Sequence, residues 1–291
     1  MKGTRWKKVL MECASDIHRE LKISLTTIPR PEKWVFLVGC YNSGTTLLSK
    51  ILGTHPQIDA LPVEGQYLTD QFPSDHEIGL SRMWTQREDL YRLTEKDTGP
   101  DANRIKREWG MRLSGARQII LEKTPANAAR TRWLQENFEN AHFVGIVRNG
   151  YASSEGIVRK ARPIHSKDGW TIRQAAHQWA RSNEILISDS NHLSNFIWSK
   201  YEDLTESPEK EISRILEFLG ITDSKSIDVS SNWSVHERNQ KIKNMNDASI
   251  RRLSSEQIEA INETAGKMLE YFNYHLLSPD KTGRNEGNKG E

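Results

Sequence analysis

The stretch that decides the fold of this chain is Val35-Phe36-Leu37-Val38-Gly39-Cys40-Tyr41-Asn42-Ser43-Gly44-Thr45-Thr46-Leu47-Leu48. The apolar run before Gly39 is typical of a buried parallel strand. A turn with two glycines follows, and Thr45 then begins an amphipathic helix that runs to Thr54 before His55-Pro56. Free backbone N–H groups and the positive helix end point into such a turn, and hydroxyl groups add donors. The stretch therefore predicts an anion-binding site.

Strands and helices alternate along most of the remaining sequence. Further strands are predicted over Gln57–Leu61, Arg117–Lys123, Ala141–Val147 and Asn195–Lys200. Helices are predicted from Thr124-Pro125 to Leu134, from Gly150 to Lys160, over 171–190, from Pro208 to Leu219 and from Ser254 to Tyr271, with polar loops over 163–169 and 230–248. This alternation predicts an α/β fold: a P-loop-like, doubly wound parallel sheet flanked by helices.

The predicted domain covers residues 31–277 and has an extension at each end. Residues 1–30 are predicted to be a helical extension with one apolar face, formed by Val9, Leu10, Cys13, Ile17 and Leu21. The tail 278–291 is rich in Gly, Asn, Lys and Glu and is predicted to be disordered. The charged stretch 74–115 is predicted to be a helical insertion that faces the substrate, although a solvated insertion explains its composition equally well.

Composition excludes several classes of protein. The 291 residues are 36% hydrophobic and carry a formal net charge of +2, which gives no basic field for nucleic acid. We find neither an apolar run of about 20 residues, as a membrane span needs, nor a signal-peptide core. With only two cysteines, a reduced cytoplasmic location is expected. No cluster of His, Cys and carboxylates has metal-ligand spacing, so no metal is expected.

The predicted anion loop lacks the lysine of ordinary nucleotidases. Their phosphate loop reads G-x-x-x-x-G-K-[ST], whereas Thr45 follows Gly44 here. The segment instead resembles the 5′-phosphosulfate loop of sulfotransferases that use 3′-phosphoadenosine-5′-phosphosulfate (PAPS). The resemblance implies that the donor is held by Asn42, Ser43, Gly44, Thr45 and Thr46. From the loop alone, another phosphate ligand or no ligand stays open.

Further signatures of the same family occur in the expected order. The segment Phe143–Ala152 resembles the family's 3′-phosphate signature and implies that Arg148 binds that phosphate. The family usually has a serine eight residues later, where this chain has Gly156, so Ser153 or Ser154 is the candidate replacement. The resemblance also puts two late residues near the nucleotide, namely Tyr201 and, as in tyrosylprotein and glycan sulfotransferases, Lys243.

Two residues are implied in catalysis by their similarity to heparan-type glycan sulfotransferases. Lys123 lies in a Glu-Lys-Thr-Pro segment and is expected to neutralise charge on the leaving phosphate. Glu64, which follows His55-Pro56 and precedes Tyr67, is expected to remove the acceptor proton. Asn42 departs from the family, which usually has Lys or Arg immediately before Ser-Gly-Thr-Thr, so the loop itself supplies no side-chain charge.

The resemblance implies a PAPS-dependent sulfotransferase that acts on a hydroxyl acceptor without a metal. The expected acceptor is a glycan or another small molecule. Basic residues recur over 104–117 and 159–167 and could contact an acidic glycan, although such runs are more often solvated faces. Two alternatives remain open at this point. One is a nucleotide kinase that uses the same turn, and the other is a catalytically weak nucleotide-binding protein.

Overall fold

A five-stranded parallel sheet forms the centre of the protein. The structure, a computed structural model, describes residues 16–75, 77–115, 117–161, 169–223, 226–235 and 238–279. In chain order the strands are β1 (Lys33–Val38), β2 (Ile58–Ala60), β3 (Ile119–Lys123), β4 (Ala141–Val147) and β5 (Phe196–Lys200). They lie in the order β2-β3-β1-β4-β5, and every pairing is parallel. The predicted doubly wound α/β fold is therefore confirmed.

Helices cover both faces of this sheet. The first helix, α1, spans residues 16–25. The others are α2 (Thr45–Leu52), α3 (Glu88–Tyr91), α4 (Ala102–Gly110), α5 (Thr131–Asn137), α6 (Gly150–Lys160), α7 (Ile172–Ser190), α8 (Tyr201–Glu206), α9 (Pro208–Phe218), α10 (Asn246–Ile250) and α11 (Ser255–Tyr271). None of these helices is long and apolar enough to cross a membrane, counting the described residues alone.

The order of the strands places β1 at the centre of the sheet, and β1 and its neighbour β4 are deeply buried. All seven residues of β4 are buried, as are five of the six in β1. Apolar side chains of α2 and α9 pack together against one side of the sheet, and Trp34, Phe36, Trp109 and Phe138 form an aromatic cluster in the core. Burial on both faces explains why these strands are continuous apolar runs in the sequence.

The two long helices begin where the sequence predicts. Thr171 caps α7 and Ser254 caps α11, each in a reciprocal capping box with the glutamine three residues later. Each box satisfies backbone donors that the first turn of a helix leaves free.

Several predicted elements have different boundaries in the structure. The helix expected after Thr124-Pro125 is a 3₁₀ segment (Pro125–Ala129) followed by α5, because fully buried Arg130 leaves helical geometry between them. The polar loop 230–248 contains a short hairpin, β6 (Trp233–Val235) and β7 (Arg238–Gln240), and the start of α10. Tyr201 directly follows β5 and begins α8.

The predicted helical insertion and the apolar face of the N-terminal extension also differ from the structure in detail. Between 74 and 115 the chain forms turns, a 3₁₀ segment and the short helices α3 and α4. On α1, Ile17, Leu21 and Leu25 are exposed. Most of the predicted disordered tail, the loop 163–168 and the first fifteen residues lie outside the described residues.

Candidate active site

One cavity of about 560 Å³ lies at the carboxyl edge of the sheet and collects most of the predicted site residues. Its wall includes Asn42, Gly44, Thr45, Thr46, Glu64, Arg148, Tyr201 and Lys243. Four predicted site residues are not part of that wall, namely Ser43, Lys123, Ser153 and Ser154. Ligands of open parallel sheets bind at this edge, because the turns that follow the strands converge there.

The anion loop depends on two glycines. Gly39 has φ +149°, and a Cβ there would lie 2.3 Å from the carbonyl oxygen of Ile146. Gly44 has φ +101°, and a Cβ there would lie 2.7 Å from the Tyr201 ring. The turn can therefore approach β4 and Tyr201 only with glycine at both positions. No side chain caps the N-terminus of α2, so its first backbone N–H groups remain available to a ligand.

Buried donors without a protein partner surround this loop. Within the described part of the chain they are Asn42 Nδ2, Ser43 Oγ, Arg148 Nη2, Ser153 Oγ and Ser154 Oγ. Buried polar groups are almost always hydrogen-bonded in native proteins. A ligand that presents many acceptor oxygens, such as a phosphate-rich nucleotide, fits this set of donors.

Arg148 is held in place by the residues around it. Its Nε donates to Asn246 Oδ1 at 2.8 Å and its Nη1 donates to the Asn42 carbonyl oxygen at 2.9 Å. The guanidinium lies 4.2 Å from the centre of the Tyr201 ring. The Tyr201 hydroxyl in turn donates to the Lys243 carbonyl oxygen at 3.1 Å. Burial lowers the pKa of Arg148 below its ordinary value, yet an arginine stays charged at neutral pH.

Glu202 supports this arrangement from behind, a role that the sequence did not reveal. It accepts hydrogen bonds from Asn246 Nδ2 at 2.6 Å, the Asn149 backbone N–H at 3.1 Å and the Tyr274 hydroxyl at 2.9 Å. Glu202, on α8, therefore links the N-terminus of α6, α10 and the segment after α11 around Arg148. Its only signal in the sequence was its position next to Tyr201.

Glu64 and Lys123 form an ion pair on the other side of the cavity. Lys123 Nζ lies 2.8 Å from Glu64 Oε1, and Gln66 Nε2 donates to Glu64 Oε2 at 3.1 Å. Lys123 ends β3 and Glu64 follows β2, its neighbour in the sheet. Parallel pairing places these two carboxyl ends side by side. Glu64, the predicted general base, and Lys123, the predicted charge-neutralising residue, are therefore in contact, although they were predicted separately.

A second carboxylate, Glu122, fixes the backbone next to Glu64. It is fully buried and accepts from the Gly65 N–H at 2.8 Å, from Asn127 Nδ2 at 2.6 Å and from the Thr124 hydroxyl. Burial raises the pKa of Glu122 to about 7, against the hydrogen bonds from Thr124 and Gly65, which lower it. A Cβ at Gly65 would lie 2.6 Å from Trp109, so glycine is required for this contact.

The 74–115 insertion contributes two residues that the sequence analysis did not single out. Asp75 accepts from the Tyr67 hydroxyl at 2.7 Å and from the Arg82 backbone N–H at 3.0 Å. Arg82 Nη1 donates to Asn42 Oδ1 at 3.1 Å. Asp75 and Arg82 both line the cavity. In the sequence, the only indication of a role for Asp75 and Arg82 was the prediction that this insertion faces the substrate.

The first of the two basic runs serves the fold instead of the cavity. Arg104 forms ion pairs with Glu20 and Asp70, and Lys106 pairs with Glu139. Of the second run, Arg159 lines the cavity and pairs with Glu155.

The sequence model of the family described as "Sulfotransferase family" matches residues 35–225. The chain belongs to this family, and the resemblance read from its motifs is confirmed.

The chain is also similar to individual curated proteins, among them two protein-tyrosine sulfotransferases. The chain is 26% identical to protein-tyrosine sulfotransferase A of Caenorhabditis elegans over 200 residues, which is 66% of this chain and 51% of that protein. It is 23% identical to protein-tyrosine sulfotransferase 2 of Gallus gallus over 195 residues, 66% of this chain and 52% of that protein. The chain thus spans about half the length of the curated relatives it matches.

Solved structures agree on the fold. A sulfotransferase from Mycobacterium avium aligns with a TM-score of 0.53 at 14% identity, covering 91% of this chain and 82% of that one. The sulfotransferase domain of the Synechococcus PCC 7002 olefin synthase aligns with a TM-score of 0.52 at 20% identity, covering 86% and 97%. At this level of identity the likeness concerns the architecture alone.

Proposed function

We propose that the protein transfers a sulfuryl group from PAPS to a hydroxyl acceptor. The observation that carries the proposal is the set of buried, unpartnered donors around residues 42–46 and Arg148. Asn42 and Arg148 line the same cavity as Glu64, which is paired with Lys123. Family membership favours this activity over that of a nucleotide kinase.

The donor would be held at its two charged ends. Asn42, Ser43 and the backbone of residues 44–46 would bind the 5′-phosphosulfate, as expected for an anion at a helix N-terminus. Arg148 would bind the 3′-phosphate, with Ser153 or Ser154 as candidate second donors. Tyr201 supports Arg148 from beneath, and Lys243 remains the predicted further contact. When bound, PAPS supplies the sulfuryl group and departs as adenosine 3′,5′-bisphosphate.

Glu64 would act as the general base. Sulfuryl transfer needs an acceptor hydroxyl that is held in line with the sulfur and loses its proton as it attacks. In the protein alone, Glu64 is occupied by Lys123 and Gln66. An acceptor hydroxyl that donates to Glu64 would compete for that carboxylate and leave Lys123 free to stabilise negative charge on the leaving phosphate.

We propose that the acceptor is a hydroxyl-bearing molecule that fits this cavity, and that the phenol of a peptidyl tyrosine is the first candidate to test. The support is the naming of the relatives as protein-tyrosine sulfotransferases. The glycan expected from the basic runs stays a prediction, weakened by the ion pairs of Arg104 and Lys106.

The test is turnover of sulfur-labelled PAPS in EDTA against tyrosine peptides, glycans and phenols. In parallel, adenosine 3′,5′-bisphosphate should raise the melting temperature without metal, because a ligand that binds only the folded state stabilises it. Binding without turnover on any acceptor would favour the weak nucleotide-binding protein. A thermal shift with ATP and magnesium alone would favour the kinase.

A further inference from the structure

Asn42 lies where the anion loop would otherwise present a cation, and its surroundings fix the orientation of its amide. Its Oδ1 accepts from Arg82 Nη1 at 3.1 Å. A guanidinium only donates hydrogen bonds, so the atom that faces Arg82 must be the oxygen. On the other side, a Cβ at Gly156 would lie 3.1 Å from Asn42 Cγ and 3.4 Å from Nδ2. Gly156 therefore makes room for the Asn42 side chain, and Arg82 holds it.

Arg82 is an uncompensated cation at this point. Among the residues that the structure describes, no carboxylate forms an ion pair with its guanidinium. Three other cations near the cavity already have carboxylate partners, since Lys123 pairs with Glu64, and Arg159 and Arg252 share Glu155. An unpaired guanidinium beside buried donors favours a negatively charged ligand.

The backbone of Arg82 is held in an uncommon conformation. Its φ is +61°, in the left-handed region that favours glycine. The Asp75 carboxylate accepts from the Arg82 N–H at 3.0 Å, and Trp170 Nε1 donates to the Ser81 carbonyl oxygen at 3.1 Å. Such outliers persist only when the surroundings enforce them, and they cluster at functional sites. An arginine at a position that suits glycine indicates that its side chain is needed.

We propose that Arg82 completes the anion loop by supplying the positive charge for the 5′-phosphosulfate end of the donor. The inference rests on the proposed function and adds a residue to its site. Arg82 comes from the insertion, forty positions after the loop, and reaches it across the Asn42 amide. In this chain, the insertion would thus provide the positive side-chain charge that the anion loop lacks.

The test compares two ligands by calorimetry in EDTA. Adenosine 3′,5′-bisphosphate carries a 5′-phosphate, and adenosine 3′-monophosphate does not. We expect Arg82→Gln to weaken the bisphosphate about 10-fold or more, as for a lost charge-assisted hydrogen bond, and the monophosphate less than about 2-fold. Arg87→Gln is the matched control, because Arg87 is exposed in the same insertion and pairs with Asp89. It should bind both ligands like the wild type.

A second variant, Arg82→Gly, guards against misfolding. Glycine adopts φ +61° without strain, so this variant should keep the turn while losing the side chain, with the same selective loss of the bisphosphate. Equal losses for the two ligands, or no loss in either variant, would overturn the role of Arg82. Wild-type protein that fails to bind the bisphosphate would instead overturn the proposed function itself.

Discussion

The two sides of the cavity satisfy their polar groups in opposite ways. On the phosphate side, around residues 42–46 and Arg148, buried donors have no protein partner within the described residues. On the acceptor side, Glu64 is paired with Lys123, and Glu122 accepts three hydrogen bonds. The phosphate side therefore leaves donors open to the proposed ligand. On the acceptor side both carboxylates are already bound within the protein, although the buried Gln66 Oε1 has no partner among the described residues, so Glu64 would have to exchange partners to accept from a substrate.

Glu64→Gln should produce the largest effect, because it removes proton acceptance and leaves the phosphate side unchanged. Loss of a general base typically lowers the rate on the order of 10²–10⁴-fold. We expect kcat to fall by that factor while the affinity for adenosine 3′,5′-bisphosphate stays within about 2-fold, since Glu64 contacts Lys123 and Gln66 rather than the loop. Steady-state kinetics with the accepted substrate and calorimetry measure the two quantities.

Glu88→Gln is the control for this experiment, because Glu88 is also an ion-paired glutamate but lies outside the cavity wall, against Arg181. A Glu64→Gln enzyme with kcat within a few-fold of the wild type would move the base elsewhere. The sequence offers His76 and His165 as replacements, and both lie outside the described residues. Loss of nucleotide binding would mean that Glu64 supports the loop.

The sequence predicted the phosphate side of the cavity more completely than the acceptor side. The phosphate side depends on local pattern: glycines at 39 and 44, hydroxyls at 43, 45 and 46, and an arginine at a strand end. Each of these features is recognised from the few residues around it, so they can be read one by one. On the acceptor side, Glu64 and Lys123 were predicted only as separate residues, and their pairing depends on the strand order of the folded sheet, in which β2 and β3 are neighbours.

Contacts between distant segments could not be predicted. The sequence shows Arg82 and Asn42 as separate residues, and only the folded chain brings them to 3.1 Å. The same holds for the basic run that begins at Arg104. Its sequence suggests a glycan-binding surface, whereas in the folded chain Arg104 pairs with Glu20 and Asp70. Burial of Arg130, which divides the helix predicted after Thr124-Pro125, likewise depends on packing against Phe72 at 3.9 Å.

Glu122 should give the acceptor side a pH-dependent stability. Burial raises the pKa of Glu122 to about 7, from an ordinary value of 4.5. Between these values the folded protein keeps the proton that the unfolded chain releases, so the free energy of unfolding falls as pH rises. Its contribution is complete below pH 4.5 and lost above about pH 7, a difference of about 3 kcal/mol.

Chemical denaturation between pH 4.5 and pH 8 measures this contribution. Other groups titrate in the same range, including His142, whose pKa burial lowers, so the informative quantity is the difference between wild type and Glu122→Gln. The variant should lack the part of the slope that belongs to Glu122. Glu217→Gln, on the exposed side of α9, should keep the wild-type slope. A Glu122→Gln protein with that same slope would show that the carboxyl is ionised throughout.

Arg148→Ala should weaken nucleotide binding selectively, by the loss of one charged partner of the 3′-phosphate. We expect about 10- to 100-fold weaker binding of adenosine 3′,5′-bisphosphate and a much smaller loss for adenosine 5′-monophosphate. Some loss for the monophosphate is expected, because Arg148 Nη1 also holds the Asn42 carbonyl oxygen. Arg173→Ala, which removes an exposed arginine paired with Glu263, should change neither affinity.

The Arg148 and Arg82 variants together test whether the phosphate side has two separate anchors. Arg148 lies beside Tyr201 and α10, and Arg82 lies beside Asn42 on the insertion. If each arginine binds a different phosphate, Arg148→Ala discriminates by the 3′-phosphate and Arg82→Gln by the 5′-phosphate. Equal losses of bisphosphate and 5′-monophosphate in Arg148→Ala would instead make Arg148 a support for the loop, through the same Asn42 carbonyl that it contacts at 2.9 Å.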